Sequence, residues 1–263
     1  MNPVELFLNE RSSNIAAIRE SKSISDLSNA WIRDVSSFKY IFNFDWLGRP
    51  IIQMGSDMVA VQEAVWMTRP NLIIETGIAH GGSLVYHASL LALLDVCDAF
   101  EAGMTVDPTN PKRQVLGIDI DIREHNRAAI NAHPLSGYLT MFEGSSIDPA
   151  MVDKVARYAQ NFDRVMVLLD SNHTEEHVLA ELVAYAPLVS PGGYCIVFDT
   201  AIENMPEGFY GNRPWGKGDN PMTAVWKFIE SNPEFSIDAE LDGKILIGNA
   251  PNGFLRRSPL AEV

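Results

Sequence analysis

The 263-residue sequence is poor in cysteine, with Cys97 and Cys195 alone. Two thiols cannot staple a fold or build a cysteine-rich zinc site. Positive charge is also scarce: 20 Lys plus Arg stand against 34 Asp plus Glu, a formal net charge of −14. No Lys/Arg run relieves this, the nearest approach being Arg256-Arg257. A field of that sign repels polyphosphate, so nucleic acid and anionic membrane surfaces are not expected partners. The plainer meaning of the acidic balance is ordinary solubility. The stretch Met1–Glu20 has no basic segment leading into an apolar core, so no secretory signal is read and a reducing cytoplasm is expected. The longest apolar run, Leu84–Val96, is broken by His87 and Asp95 and is short for a bilayer span. Internal repeats and low-complexity segments are absent.

What remains is a composition that builds a core, 46% hydrophobic and 21% charged. It fits one α/β domain of about 200–250 residues with an extension. Residues 1–45 read as that extension, a short amphipathic helix (Val4, Leu6, Phe7, Leu8, Ile15, Ile18), a polar break over Ser21–Ser28 and a second helical piece near 27–38. Its apolar surface is too small to fold alone, so it is expected to pack on the main domain or to support self-association as a homo-oligomer. Trp46-Leu47-Gly48-Arg49-Pro50 reads as a turn.

Residues 46–263 alternate regularly. Apolar strand runs at 71–75, 115–119, 138–142, 165–170 and 193–199 are separated by helical patterns at 82–95, 122–132, 149–160 and 174–186. A further helix at 56–68 precedes the first strand. Such alternation predicts βαβ units, hence a doubly wound, mostly parallel, Rossmann-like sheet covered on both faces. The tail predicts a helix near 221–231 and strand-like pieces near 235–238 and 244–249.

Ligands of such sheets bind beyond the carboxyl ends of the strands, where strand order reverses. Those ends carry Glu75, Asp119, Glu143, Asp170 and Asp199, more acids than frequent loop usage explains. The first turn, Glu75-Thr76-Gly77-Ile78-Ala79-His80-Gly81-Gly82-Ser83, lets backbone approach a ligand closely, although its spacing is not G-x-G-x-x-G. A carboxylate just before the first glycine opposes a pyrophosphate but suits the cationic end of S-adenosylmethionine, whose carboxylate Ser83 and the helix N-terminus are placed to hold. Asp119 is placed for the ribose hydroxyls. It follows Glu75 by more than the usual gap of roughly 20 residues because of an insertion over 96–114. Ser145 and Ser146, after the third strand, suit the adenine edge, and His80 and Gly81 belong to the same cofactor turn.

Asp170 and Asp199, on neighbouring strand ends, form an oxygen-donor pair suited to Mg2+. His173 is one turn beyond Asp170 and faces the same cleft. The plainer alternative makes Asp170 a helix cap and His173 a surface residue. His173–His177 also fits H-x-x-E-H, a zinc-hydrolase pattern, but here it opens a helix after a parallel strand and reads as coincidence. The H-x-E spacing of His173-Thr174-Glu175 lacks the later histidine of a non-haem iron triad. The loop 211–221 is expected to overhang the cleft, with Arg213, Trp215 and Lys217 as acceptor contacts.

Taken as a set, Ile73–Ser83, Gly117-Ile118-Asp119-Ile120-Asp121, Gly144-Ser145-Ser146-Ile147-Asp148 and Leu169-Asp170-Ser171-Asn172-His173-Thr174 resemble the motifs of the cephalosporin hydroxylase or rhamnosyl O-methyltransferase family, over roughly residues 45–257. The resemblance implies a class I S-adenosylmethionine-dependent fold and a Mg-assisted O-methyltransferase acting on a hydroxyl of a glycan or natural product. It also implies that Glu75, Gly77, Ser83 and Asp119 bind the cofactor, that Asp170 and Asp199 bind the metal, and that His173 matches the general base of related macrolide-sugar methyltransferases. One departure stands out: related members often have two consecutive acids where this chain has Phe198-Asp199, with Glu203 a candidate to fill the gap. Two rival functions follow, an oxygenase-type hydroxylase of a small-molecule antibiotic and a non-catalytic cofactor-binding partner.

Overall fold

The computed structural model describes residues 2–107 and 110–259. Pro108, within the insertion, and the last four residues of the tail lie outside them. Two helices open the chain, α1 (Pro3–Glu20) and α2 (Lys22–Ser36), followed by a hairpin of β1 (Phe44–Trp46) and β2 (Arg49–Ile51). α3 (Gly55–Thr68) leads into β3 (Leu72–Thr76), α4 (Gly82–Ala102), β4 (Gln114–Asp119), α5 (Glu124–Asn131), β5 (Leu139–Glu143), α6 (Pro149–Ala159), β6 (Val165–Leu169), α7 (Glu175–Tyr185) and β7 (Tyr194–Val197). α8 (Pro221–Ser231), β8 (Phe235–Ile237), α9 (Ala239–Lys244) and β9 (Phe254–Arg257) complete it.

The main sheet has seven strands in the order β5-β4-β3-β6-β7-β9-β8. The five strands from β3 to β7 run parallel, while β9 pairs antiparallel with both β7 and β8. The period-2 alternation of a strand explains why these runs are apolar throughout. Ile73 packs on one face with Val61, Val65, Leu84 and Leu91, whereas Leu72 and Ile74 pack on the other with Val155, Val178, Leu182 and Phe228. The chain winds outward from β3 to β5 and returns to place β6 against β3. Strand order therefore reverses between β3 and β6, and this reversal fixes where a ligand crevice opens.

Three local expectations are corrected. The break is Ser21 alone and not Ser21–Ser28, because Lys22 begins α2, steadied by its i,i+4 ion pair with Asp26. α4 continues past Asp95 to Ala102 and ends on Gly103 in the left-handed region. At 21 residues α4 is long and apolar enough to cross a membrane by length and composition. It packs instead on the sheet, where Asp95 is bonded by Arg113 and Tyr138. The predicted strand at 244–249 does not form. Ile245 is buried in the core and Ile247 packs beside Met54, without a ladder partner, and β9 supplies the strand that β7 needs.

The N-terminal helices lie lightly on this core. Only Ile15 of α1 is buried, α1 packs on α9, and Arg11 pairs with Glu240 at 3.2 Å. Val4, Leu6, Phe7 and Leu8 stay exposed.

In α3 the fully buried Asp57 accepts the Asn249 amide at 2.6 Å through Oδ2, and its Oδ1 has no partner among the described residues. Burial lifts its carboxyl from an ordinary 3.8 to about 7; backbone bonds from Asn249 and Ala250 oppose this, and the charge of Asp199 adds to it. A folded-state pKa above the unfolded one stabilises the fold at low pH and loses that contribution as pH rises toward 7. The loss is on the order of 4 kcal/mol. Asp57→Asn is expected to remove this decline, so the melting temperature of the variant minus that of wild type should grow between pH 5 and pH 8. A flat difference across that interval would refute the assignment.

Candidate active site

The crevice at the strand reversal is formed by two adjoining cavities of about 220 and about 280 Å³ that share Gly77, Asp119 and Ser171. The smaller is walled by Ile118, Ile120, Ser145, Ser146, Asn172, His177 and Trp215. The larger contains Ser83, His80, Asp170, His173 and Asp199, beneath Ile41, Phe42, Pro50 and Ile52 from the N-terminal segment.

Gly77 sets the distance between the two loops of the crevice. Its φ is +88°, and a Cβ there would overlap the carbonyl oxygen of Asp170. Asp119, ending β4, organises the same turn: Oδ2 accepts the amides of Ile78 at 2.8 Å and Ala79 at 3.2 Å, while Oδ1 accepts that of Asp121 at 3.1 Å. Arg49 of β2 reaches across to the His80 carbonyl, 3.0 Å from Nε, and to Asn126, so the hairpin straps this turn down.

The five strand-end acids do not all meet. Glu75 is 2% exposed and lines neither cavity; its oxygens accept Ser83 Oγ and lie 2.7 Å from His87 Nδ1. Glu143 pairs with Arg127 at the surface. Gly81 is buried at the N-cap of α4. Asp170, His173 and Asp199 do converge, with one potential ligand atom from each lying within 4.8 Å of the others. His173 Nε2 is 3.9 Å from Asp199 Oδ2, and the edge of His173 meets Trp215 with ring centroids 4.8 Å apart. Burial, then the charge of Asp199 and a hydrogen bond to it, with Glu75 and Glu181 beyond, hold the Asp170 carboxyl well above the ordinary aspartate range. Two acids so placed resist double ionisation, which is the electrostatic setting a divalent cation relieves.

Asp199 has φ +56° at the start of a single helical turn over 200–204, while Phe198 turns into the core. Glu203 does not complete the acid pair. It accepts the amide of Gly218 at 2.8 Å and the side chain of Asn220 at 2.6 Å, holding the loop that carries Trp215. Arg213 and Lys217 are exposed and line neither cavity, Arg213 lying 5.2 Å over the Trp215 ring. Asp170 caps no helix; Thr174 holds the N-cap position of α7.

Sequence reasoning missed His87, whose spacing from Glu75 links a strand to the helix after it. It also set aside His177 with the H-x-x-E-H pattern. The two histidines of that pattern part company, since His177 Nε2 lies 3.1 Å from Ser146 Oγ and 3.2 Å from Ser171 Oγ, in the cavity that excludes His173.

Strand order, crevice and acid cluster together define a Rossmann-like methyltransferase fold. A solved structure of CmcI described as holding Mg and SAM shares that fold, with a TM-score of 0.53 and 18% identity, covering 82% of this chain and 77% of that one. The pattern of the family Rhamnosyl O-methyltransferase/CmcI matches residues 38–258, and the chain belongs to that family. It is 31% identical over 207 residues to a rhamnosyl O-methyltransferase of Mycobacterium tuberculosis, covering 77% of this chain and 74% of the relative. A rhamnosyl O-methyltransferase of Mycobacterium leprae is 27% identical over 214 residues, covering 81% and 82%. The chain is an O-methyltransferase of this family.

Proposed function

We propose that the chain transfers a methyl group from S-adenosylmethionine to a hydroxyl of a sugar or glycosylated natural product, with Mg2+ held by Asp170 and Asp199. The observation that carries this reading is the Asp170–His173–Asp199 cluster beside the glycine turn at the strand reversal. The names of the mycobacterial relatives, and the Mg and SAM of the CmcI structure, support it.

The residues fit both groups. Asp119, Ser145 and Ser146 line the smaller cavity with hydroxyl and carboxylate acceptors suited to a nucleoside, and Ser83 and His80 line the larger one, where a methionine arm belongs. When bound, S-adenosylmethionine supplies the electrophilic methyl group. A bound Mg2+ supplies Lewis-acid polarisation that lowers the pKa of an acceptor hydroxyl. Asp170 and Asp199 would hold that ion in the larger cavity, and the walls of the crevice serve the alignment of attacking oxygen and methyl that dominates an in-line transfer. His173 Nε2 takes the hydroxyl proton, and the nearby carboxylate of Asp199 stabilises the resulting imidazolium. Trp215, a wall of the smaller cavity, meets the edge of His173 and shields that base from water, while Arg213 and Lys217 meet the outer part of the acceptor.

The compactness of the cluster favours one second reading, in which His173 is a third metal ligand. Asp170→Asn addresses the first reading directly. It is expected to weaken Mn2+ binding, followed by electron paramagnetic resonance, by more than about tenfold, since one charged ligand is lost. Methyl transfer to a rhamnoside acceptor should fall in parallel. Undiminished Mn2+ affinity would remove the ion from this site.

A further inference from the structure

We propose that Arg49 and Asn126 are positioning residues for the methyl donor, holding Ala79 in a left-handed backbone conformation so that the turn after β3 is set before the donor arrives. This rests on the reading that the crevice takes S-adenosylmethionine, and it adds to that reading two residues that line neither cavity.

Ala79 breaks a local rule. Its φ is +46°, in a region that a residue with a Cβ disfavours and that glycine adopts freely. Ala79 is exposed, so packing of its methyl group in the core does not explain the conformation. It does line the larger cavity, between Ile78 and His80.

The cause lies in the two peptide groups that flank it, because the backbone angles of a residue are set once the planes on either side are set. The plane before Ala79 is pinned by its N–H, which donates to Asp119 Oδ2 at 3.2 Å. The plane after it is pinned by the Ala79 carbonyl, which accepts Asn126 Nδ2 at 3.0 Å. Asn126 is 4% exposed, and its Oδ1 accepts Arg49 Nη2 at 3.0 Å. A guanidinium only donates, so the amide oxygen of Asn126 must face Arg49 and its nitrogen must face Ala79. Arg49 also holds the next carbonyl, that of His80, through Nε at 3.0 Å and through Nη2. Consecutive carbonyls of the turn are thus engaged from the hairpin and from α5. Released from these donors, Ala79 relaxes toward the commoner backbone regions and the wall of the larger cavity changes shape. Affinity for the donor then falls by the fraction of molecules that keep the competent turn.

Calorimetric binding of S-adenosylhomocysteine to wild type, Arg49→Met and the double variant Arg49→Met/Ala79→Gly tests this. Arg49→Met should bind about tenfold or more weakly, because the disfavoured conformation is no longer imposed. Adding Ala79→Gly should recover about threefold or more, since glycine populates the left-handed region unaided. Loss of ordinary packing around Arg49 would not be repaired by removing a methyl group from a different residue. Asn126→Ala, which removes the pin on Ala79 directly, should show the same loss and the same recovery. Amide hydrogen exchange of ligand-free wild type gives a measure that needs no variant to fold: the Ala79 amide should already exchange at least about tenfold more slowly than in an unstructured chain. Unchanged affinity in Arg49→Met, a loss that Ala79→Gly does not recover, or an unprotected Ala79 amide each overturn the proposal. If wild type itself does not bind S-adenosylhomocysteine, the donor reading of the crevice falls and takes this inference with it, a result distinct from binding that Arg49→Met leaves intact.

Discussion

His173→Gln is expected to lower methyl transfer by about 10²–10⁴-fold, the range for loss of a positioned general base. Glutamine keeps the length and polarity of the side chain, so the edge contact of His173 with Trp215 is replaced by a smaller one and the fold persists. S-adenosylhomocysteine affinity should stay within about twofold of wild type, because the side chains placed for the cofactor, Asp119, Ser145 and Ser146 in the smaller cavity and Ser83 and His80 in the larger, are unaltered. Initial rates with isotopically labelled donor, combined with Mn2+ binding, separate the two roles of the residue. A base lost leaves Mn2+ affinity intact, whereas a ligand lost reduces it together with the rate. Turnover preserved in the glutamine variant would remove His173 from the chemistry.

Gly77→Ala should be strongly disruptive. The added carbon must occupy the place of the Asp170 carbonyl oxygen, on a backbone at φ +88°. Backbone strain of about 1–3 kcal/mol and steric displacement of a further 1–3 kcal/mol follow. At roughly 2–4 °C per kcal/mol for a chain of this size, the melting temperature should drop by about 10 °C. The shifted β6–α7 loop carries Asp170, so Mn2+ binding should weaken as well. Gly48→Ala is the control: its φ is +84°, yet nothing lies within 4 Å of the added carbon. It reports strain without collision, and a Gly77→Ala variant no less stable than Gly48→Ala would refute the close-approach argument.

The fold was readable because its signals are local. Each parallel strand is a short apolar run such as Leu72-Ile73-Ile74 or Val165–Leu169, buried on both faces and bounded by turn residues. The tail was less readable because its edge is decided by pairing. Ile245-Leu246-Ile247 has the composition of a strand, but Ile245 turns into the core, Ile247 packs beside Met54 and Leu246 stays exposed, whereas Phe254-Leu255-Arg256-Arg257 becomes a strand by laddering with Tyr194–Ile196. In the site, Asp170, His173 and Asp199 were legible because position at a strand end places a side chain in the crevice. The partners of Glu75 and His177 were not. Ser83 and His87 meet Glu75 only once α4 has folded back over β3, and the bond from Ser171 to Glu181 requires a loop to lie over the second turn of the next helix. Counting acids at strand ends overstated the convergence, since charge spacing in sequence carries no information on which carboxylate a neighbouring hydroxyl or guanidinium has already engaged.

The loop bearing Trp215 is suspended from the single carboxylate of Glu203 and closes on itself through the paired bridge of Gly216 and Asp219, with Asp219 also resting on the amide that begins α7. Met205, Phe209 and Tyr210 anchor its start against Ile32 and Met54, so the exposed turn from Gly211 to Pro214 is the part that can vary in length and side chains without disturbing a strand. Such a segment is interchangeable in the way that a tool head is. On the proposed reading, a change in this one surface appendage would alter which acceptor is gripped and leave the crevice that holds Asp170 and Asp199 as it is.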